Sequence, residues 1–289
     1  MAKQLLGKEV NASLNERIKE EVAKLQQAGI SPKLAILRVG ENESDISYER
    51  GATKRCETLG VECEKYLLPF DVTEEALLDV IAKVNEDASI HGVLLFRPLP
   101  KHLNEEKIIN HLNPEKDVDG ITDGSLAGVF AGKDLGFAPC TAQACIEILD
   151  HYEIDCTGKR IAVIGRSLVV GRPVAMMLMQ KNGTVTICHT RTKNMESIVR
   201  EADIVVVAAG KPGVVDAGFV RPGQVVIDVG IHVNAEGKLC GDVKYDEVES
   251  LVEAITPVPG GVGAVTTSVL VSHVVEAAKR QKMNENASK

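Results

Sequence analysis

The 289 residues carry 33 Lys and Arg against 41 Asp and Glu, a net charge of −8, so no basic stripe marks a nucleic-acid binder. With 44% hydrophobic residues the chain can build two domains, and no apolar run approaches the ~20 residues that cross a bilayer. Residues 1–8 lack the apolar region of a signal peptide, which points to the cytoplasm; seven cysteines without a C-x-x-C pair read as reduced packing residues, suggesting neither a disulfide framework nor a metal site.

Glu9 to Gln27 places Val10, Leu14, Ile18, Val22 and Leu25 at helical spacing and stops before Gly29. Leu34 to Val39 then reads as a strand, Ser44 to Leu59 as a helix, Cys63 to Leu68 as a strand, Thr73 to Val84 as a helix and Val93 to Phe96 as a strand. Arg97-Pro-Leu-Pro100 ends that strand, and Glu105 to Leu112 is a short helix. Gly- and Asp-rich residues 117–136 read as a loop leading to a connecting helix, Thr141 to Tyr152.

Ile161 to Ile164 reads as a buried strand closed by Gly165, with Pro173 well placed in the first turn of a helix running to Lys181. Such a strand-turn-helix brings backbone N–H groups and a positive dipole end together, which suits a pyrophosphate. Gly165 and Gly171 lie six apart with Ser167 between them, which is not the common G-x-G-x-x-G pattern, and many α/β proteins have glycine-rich turns that bind nothing. Three further strands, Thr184 to Cys188, Ile204 to Ala209 and Val225 to Val229, give the rhythm of a doubly wound sheet. A last strand, Ala254 to Pro257, precedes the loop through Gly263 and a final helix, Val265 to Gln281; that helix is expected to return to the first domain, and the polar tail from Lys282 to be disordered.

Gly165-Arg-Ser-x-x-Val-Gly-Arg-Pro173, Cys188-His-Thr-x-Thr192, Ile227-Asp-Val-Gly230 and Thr256-Pro-Val-Pro-Gly-Gly-Val-Gly263, with Pro98-Leu-Pro-Lys-His102 and Lys116-Asp-Val-Asp-Gly120, occur in order along the chain. Together they resemble the methylenetetrahydrofolate dehydrogenase/cyclohydrolase family of one-carbon metabolism. The resemblance implies an α/β protein in which a three-layer folate domain, residues 1–140 completed by helix 265–282, meets a Rossmann-type NAD(P)-binding domain, residues 141–264, across a cleft. It also implies a homodimer with tetrahydrofolate as substrate and no nucleic-acid or membrane partner.

Carried residue by residue, the resemblance makes Tyr48 and Asp119 the catalytic residues. It puts folate on Tyr48, Pro98, Leu99, Asp119, Pro259, Gly260 and Gly261. The cofactor falls on Gly165, Arg166, Ser167, Val170, Gly171, Thr190, Arg191 and Ile231. NAD sites usually carry an Asp or Glu after the second strand, whereas here the strand runs into His189-Thr-Arg-Thr-Lys193. Missing carboxylate and present cations favour NADP over NAD, the alternative being that Arg191 and Lys193 are solvated surface charges.

Two positions depart from the family pattern. Ala52 stands where the family has the Lys that opens the methenyl ring, and Phe96 where it has the Gln that tunes that Lys. Lys54 cannot simply substitute, because a residue two further along a helix points about 200° away. Milder departures are Asp45 for Ser, Ser125 for Asn, and Ala142 and Ala264 for Pro. The expected activity is therefore NADP-dependent oxidation of methylenetetrahydrofolate with weak or absent cyclohydrolase, a separate enzyme finishing the step. Competing readings are a fully bifunctional enzyme in which another group such as Lys54 replaces the Lys, and a non-catalytic nucleotide-binding regulatory protein.

Overall fold

In the computed structural model the backbone is described for residues 1–287 and side chains for residues 1–284. The chain divides into two compact units. The first comprises Ser13–Cys140 and Thr267–Lys289, the second Met1–Ala12 and Thr141–Thr266. In chain order the elements are β1 (Lys3–Gln4), α1 (Gly7–Gln27), β2 (Lys33–Val39), α2 (Glu43–Leu59), β3 (Glu62–Leu68), α3 (Glu74–Glu86), β4 (Gly92–Leu95), α4 (Glu105–Ile109), α5 (Asp123–Ala131) and α6 (Cys140–His151). There follow β5 (Arg160–Ile164), α7 (Gly171–Gln180), β6 (Thr184–Cys188), α8 (Met195–Glu201), β7 (Ile204–Val207), β8 (Val225–Asp228), β9 (His232–Val233), β10 (Leu239–Cys240), α9 (Tyr245–Val248), β11 (Ala254–Ile255) and α10 (Val262–Ala287).

The first unit is built on a parallel sheet in the order β3-β2-β4. Side chains of a strand alternate between faces, and Leu34 to Val39 are all buried, so both faces of central β2 are covered. One face packs Ala35, Leu37 and Val39 against Leu77, Ile81 and Val84 of α3. The edge strand β3 alternates between exposed and half-buried residues.

Residues 117–136 are not simply a loop, because they contain α5. Thr122 caps its start by accepting from the Ser125 amide, and Gly132 ends it in the left-handed conformation. Gly128, which argued for a loop, sits where a Cβ would strike the Leu135 backbone, so its smallness serves packing rather than flexibility. The tail also departs from expectation. α10 continues through Ala287, supported by the Arg280–Glu276 pair at 3.2 Å and the bond from Gln281 to the Ala88 carbonyl at 2.8 Å. Ser288 and Lys289, the rest of the tail expected to be disordered, lie outside the described residues.

The second unit holds a six-stranded parallel sheet in the order β1-β11-β8-β7-β5-β6. The chain moves outward from β5 to β6, then returns to the other side of β5 with β7, β8 and β11. The order reverses beside β5, which opens a crevice at the carboxyl ends of β5 and β7, where such sheets bind ligands. Met1–Ala12 belong here because β1 pairs with β11, Lys3 opposite Ala254, so the expected first domain 1–140 loses its first twelve residues to this unit. The two-residue strands β1, β9 and β10 and the single-turn α9 carry too few residues to show a period, and the sequence analysis misses all four.

Candidate active site

At the carboxyl end of β5, Gly165 has φ 122°, and a Cβ there would strike the Ala208 carbonyl; a Cβ on Gly171, the first residue of α7, would strike the Gly165 carbonyl. These two glycines let strand, turn and helix close on one another. Ser167 does not leave a gap where the standard pattern has glycine. Its Oγ accepts from the amides of Val170 at 3.1 Å and Gly171 at 3.4 Å and folds the turn. Arg166 and Ser167 are exposed, Val170 is half-buried, and no side chain caps the start of α7, whose dipole end therefore faces the crevice.

The turn after β6 lies alongside, since the Gly165 amide donates to the Cys188 carbonyl at 2.9 Å. The His189 amide donates to Thr192 Oγ1 at 2.8 Å and the Arg191 amide to His189 Nδ1 at 3.2 Å, which leaves Thr190 and Arg191 exposed. Neither the Arg166 nor the Arg191 guanidinium is in an ion pair among the described residues.

Three loops converge at the same end of the sheet on a pair of buried carboxylates. Asp228, ending β8, accepts from the amides of Gly230, Asp242 and Val243, each at 3.0 Å. Asp242, 0% exposed, accepts through Oδ2 from Ala209 at 2.7 Å and Gly210 at 2.9 Å, while its Oδ1 lies 2.7 Å from His232 Nε2. Burial pushes Asp228 up to about 6, the neighbouring Asp242 charge adding to the rise and the three amides opposing it. The sequence analysis gives no role to Asp228, Asp242 or His232, although the motif Ile227-Asp-Val-Gly230 contains the first; nothing in the sequence joins it to Asp242, fourteen residues on. This network fixes the loop that presents Ile231, 57% exposed, beside Gly263, whose absent side chain leaves the space that Ile231 Cδ1 fills. Pro259 and Gly260 are exposed after a cis Val258–Pro259 peptide, and buried Gly261 packs against Pro257 and Gly7.

In the first unit, Tyr48 of α2 meets Phe96, just past β4, edge to face with ring centroids 5.9 Å apart. Ala52, one turn after Tyr48, is 0% exposed, while Lys54 is on the exposed side of the same unbroken helix. Arg97–Pro98 is a second cis peptide; Pro98 is exposed, Leu99 is buried, and the Leu99 amide donates to Glu105 at 2.7 Å.

Asp119 is half-buried. Burial pushes its carboxyl up to about 6, with the Asp117 charge adding and the Cys140 thiol and Arg97 charge opposing. Its loop is held by Asp117, fully buried, which accepts from the amides of Ile121 and Thr122 and from Ser125 Oγ at 2.7 Å. Ser125 thus holds the loop by a hydrogen bond of its own. Cys140 and Arg97, which act on the Asp119 carboxyl, and the Asp117–Ser125 pair have no role in the sequence reading, because only the fold joins them. The structure therefore groups Tyr48 with Phe96 and the glycine turn with the Thr190–Arg191 turn. Two surface cavities of about 360 and 430 Å³ are lined by none of the expected site residues.

A nucleotide-type crevice in one unit, and a carboxylate of raised pKa and an aromatic pair in the other, narrow the choice of relatives. Residues 5–119 match the catalytic-domain model of the tetrahydrofolate dehydrogenase/cyclohydrolase family, and residues 139–282 match its NAD(P)-binding-domain model. "Bifunctional protein FolD" of Clostridioides difficile (strain 630) is 50% identical over 275 residues, covering 95% of this chain and 96% of that protein. The crystal structure of the bifunctional FolD methylenetetrahydrofolate dehydrogenase/cyclohydrolase from Campylobacter jejuni superposes with a TM-score of 0.94 at 38% identity, covering 97% and 99% of the two chains. The Trypanosoma brucei methylenetetrahydrofolate dehydrogenase-cyclohydrolase, solved with NADP and an inhibitor, gives a TM-score of 0.89 at 34% identity, covering 96% and 98%. With both family models matched in order and relatives this similar along nearly the whole chain, the protein belongs to the tetrahydrofolate dehydrogenase/cyclohydrolase family.

Proposed function

We propose that this enzyme oxidises 5,10-methylenetetrahydrofolate to the methenyl form by hydride transfer to NADP, and that its hydrolysis of the methenyl product is weak or lost. The residues fit the dinucleotide. Gly165 and Gly171 let the strand, turn and uncapped start of α7 close tightly on one another, and the β6 turn offers exposed Arg191 and Thr190 with no carboxylate to repel a 2′-phosphate. NADP is also the cofactor named for the Trypanosoma brucei relative. When bound, the nicotinamide supplies a hydride acceptor at its C4.

The chain's own part in the oxidation is positioning. Asp119 accepts two hydrogen bonds from the amino-pyrimidinone edge of the pterin, Tyr48 lines the folate, and Ile231 and the Pro259–Gly261 loop orient the nicotinamide end. Folate nitrogen stabilises the cation that forms, so no protein base is required. Hydrolysis of that cation does need positioned proton transfer, worth ~10²- to 10⁴-fold.

The carrying observation is Ala52. It occupies the buried i+4 position after Tyr48, Phe96 sets an apolar ring against Tyr48, and Lys54 is exposed elsewhere on a regular helix. Full bifunctionality is the second reading, favoured by the names of the relatives. The two are separated by following reduced nicotinamide and methenyl decay independently in one reaction. Persistent methenyl product supports the proposal, and decay matching its formation refutes it. Dinucleotide binding without any turnover would favour a regulatory protein. Assembly as a homodimer in the cytoplasm is part of the same proposal.

A further inference from the structure

Burial keeps the thiols of Cys140, Cys145, Cys156 and Cys188 protonated, but two other cysteines stand together. Cys56 lies in the last turn of α2. The helix stops at Gly60, in the left-handed conformation, and the chain returns at once as β3, with the Val61 amide bonded to the Cys56 carbonyl at 3.0 Å. This tight return sets Cys63, the second residue of β3, against the helix. Thr53 Oγ1, one turn before Cys56 on the same helix, lies 3.9 Å from the Cys63 sulfur, so Cys63 packs onto α2 at the turn that carries Cys56. Lys65, two residues along the same face of β3, places a cation nearby, held by Glu49 at 2.9 Å. Cys56 is fully buried, whereas Cys63 is half-buried on the edge strand of its sheet, where a small reagent reaches it.

We propose that Cys63 and Cys56 are a hydroperoxide-reactive dithiol, Cys63 the attacking group and Cys56 the resolving one, that closes to an intrachain disulfide. A bond from Cys56 above all, then the Thr53 hydroxyl and the Lys65 charge, bring the Cys63 thiol down to about 7 against the effects of burial and Glu49, so a large fraction is thiolate at neutral pH. That bond in turn holds the proton on Cys56, pushing its thiol far up. The Cys63 thiolate attacks one oxygen of hydrogen peroxide and the O–O bond breaks. Sulfenic acid forms on Cys63, and the departing hydroxide takes a proton and leaves as water. Cys56 then attacks the Cys63 sulfur, the S–O bond breaks as the S–S bond forms, and the hydroxyl leaves with the Cys56 proton as a second water. The two thiols lose two electrons, which reduce the peroxide.

The position matters because Tyr48, Ala52 and Cys56 form one stripe of α2 at intervals of four. Drawing Cys56 onto β3 displaces the helix that carries Tyr48. On the folate role proposed above, oxidation therefore raises the KM for folate and leaves that for NADP unchanged.

The test uses the reduced full-length protein, treated with hydrogen peroxide at neutral pH and then alkylated. Expected are an intact mass, alkylated under denaturing conditions, lower by two alkyl groups than that of the reduced control alkylated in the same way, and a linked peptide pair containing Cys56 and Cys63, reversed by dithiothreitol. Cys63→Ser should abolish it, and Cys56→Ala should stop at a sulfenic acid that dimedone traps. A measurement needing no variant is the pH dependence of iodoacetamide labelling of Cys63, with a midpoint expected near 7. A midpoint at the ordinary thiol value of about 8.5, or first oxidation at half-buried Cys240, overturns the proposal. A disulfide that forms with folate KM unmoved leaves the dithiol standing and removes its link to the folate site.

Discussion

The substitution pair Ala52→Lys with Phe96→Gln tests the proposed loss of hydrolysis most directly. Ala52 has no exposed surface, so a lysine there adds a four-carbon stem and an ammonium to filled space; overpacking alone costs about 1–3 kcal/mol, and an unpaired ammonium adds to that. Phe96→Gln forfeits the edge-to-face contact with Tyr48 at 5.9 Å, about 0.5–1.5 kcal/mol, but vacates volume and supplies an acceptor for the new ammonium. The double variant should therefore be more stable than the sum of the singles, with a coupling of about 1 kcal/mol or more in a double-mutant cycle of urea unfolding. Decay of methenyl absorbance should be faster than wild type by about 10²-fold or more in the double variant, the lower end of what a positioned acid-base group contributes. The single Ala52→Lys should gain less, because beside Phe96 desolvation drives the amine to its neutral form. Rapid hydrolysis by the wild type that disappears in Lys54→Ala would refute the reasoning, as would a double variant no faster than the single.

Asp119, lifted to about 6, loses its charge and one acceptor as the pH falls below that value, so folate KM should rise about tenfold per pH unit between 6 and 4 while the Kd for NADP, measured by calorimetry, stays flat; an onset near the ordinary value of about 4 would contradict the burial argument. Arg166→Ala or Arg191→Ala should raise the KM for NADP by about tenfold and that for NAD hardly at all, and a wild type that prefers NAD would undo the cofactor assignment. Asp242→Ala strands the amides of Ala209 and Gly210, about 1–3 kcal/mol each, and should lower Tm and weaken NADP binding with folate binding spared, whereas Asp242→Asn, which keeps an acceptor, should recover most of both.

The fold was legible wherever burial imposed a period. β2, β6, α2 and α3 were readable to within two residues because each shows a period: a buried run in β2, the alternation Thr184-Val-Thr-Ile-Cys188 in β6, and a helical stripe in α2 and α3. α5 was not, because Gly124 and Gly128 look like loop residues in one dimension and become packing residues only when Pro114 and Leu135 are placed against them. The glycine turn was half legible. Its position followed from the strand before it, but that Ser167 replaces a glycine by bonding the Val170 and Gly171 amides is a fact of three dimensions. Asp242 was invisible for the same reason, since it acts on Ala209 and Gly210, more than thirty residues away.

On the function proposed above, the same distinction accounts for one activity falling away while the other stays. Oxidation rests on arrangements spread over many backbone contacts: the Asp117–Ser125 clasp under Asp119, the Asp228–Asp242 clasp under Ile231, and the close approach of Gly165 and Gly171. Each is tied into the hydrogen bonding of its own unit, so a change there costs stability as well as function. Hydrolysis rests on a proton-transferring side chain at a single helical position, and Ala52 fills that position with the residue of best helix propensity, buried without a polar atom to satisfy. With Phe96 in an apolar contact to Tyr48, the proposed exchange would remove a buried charge rather than leave one unpaired, and so would cost the fold little.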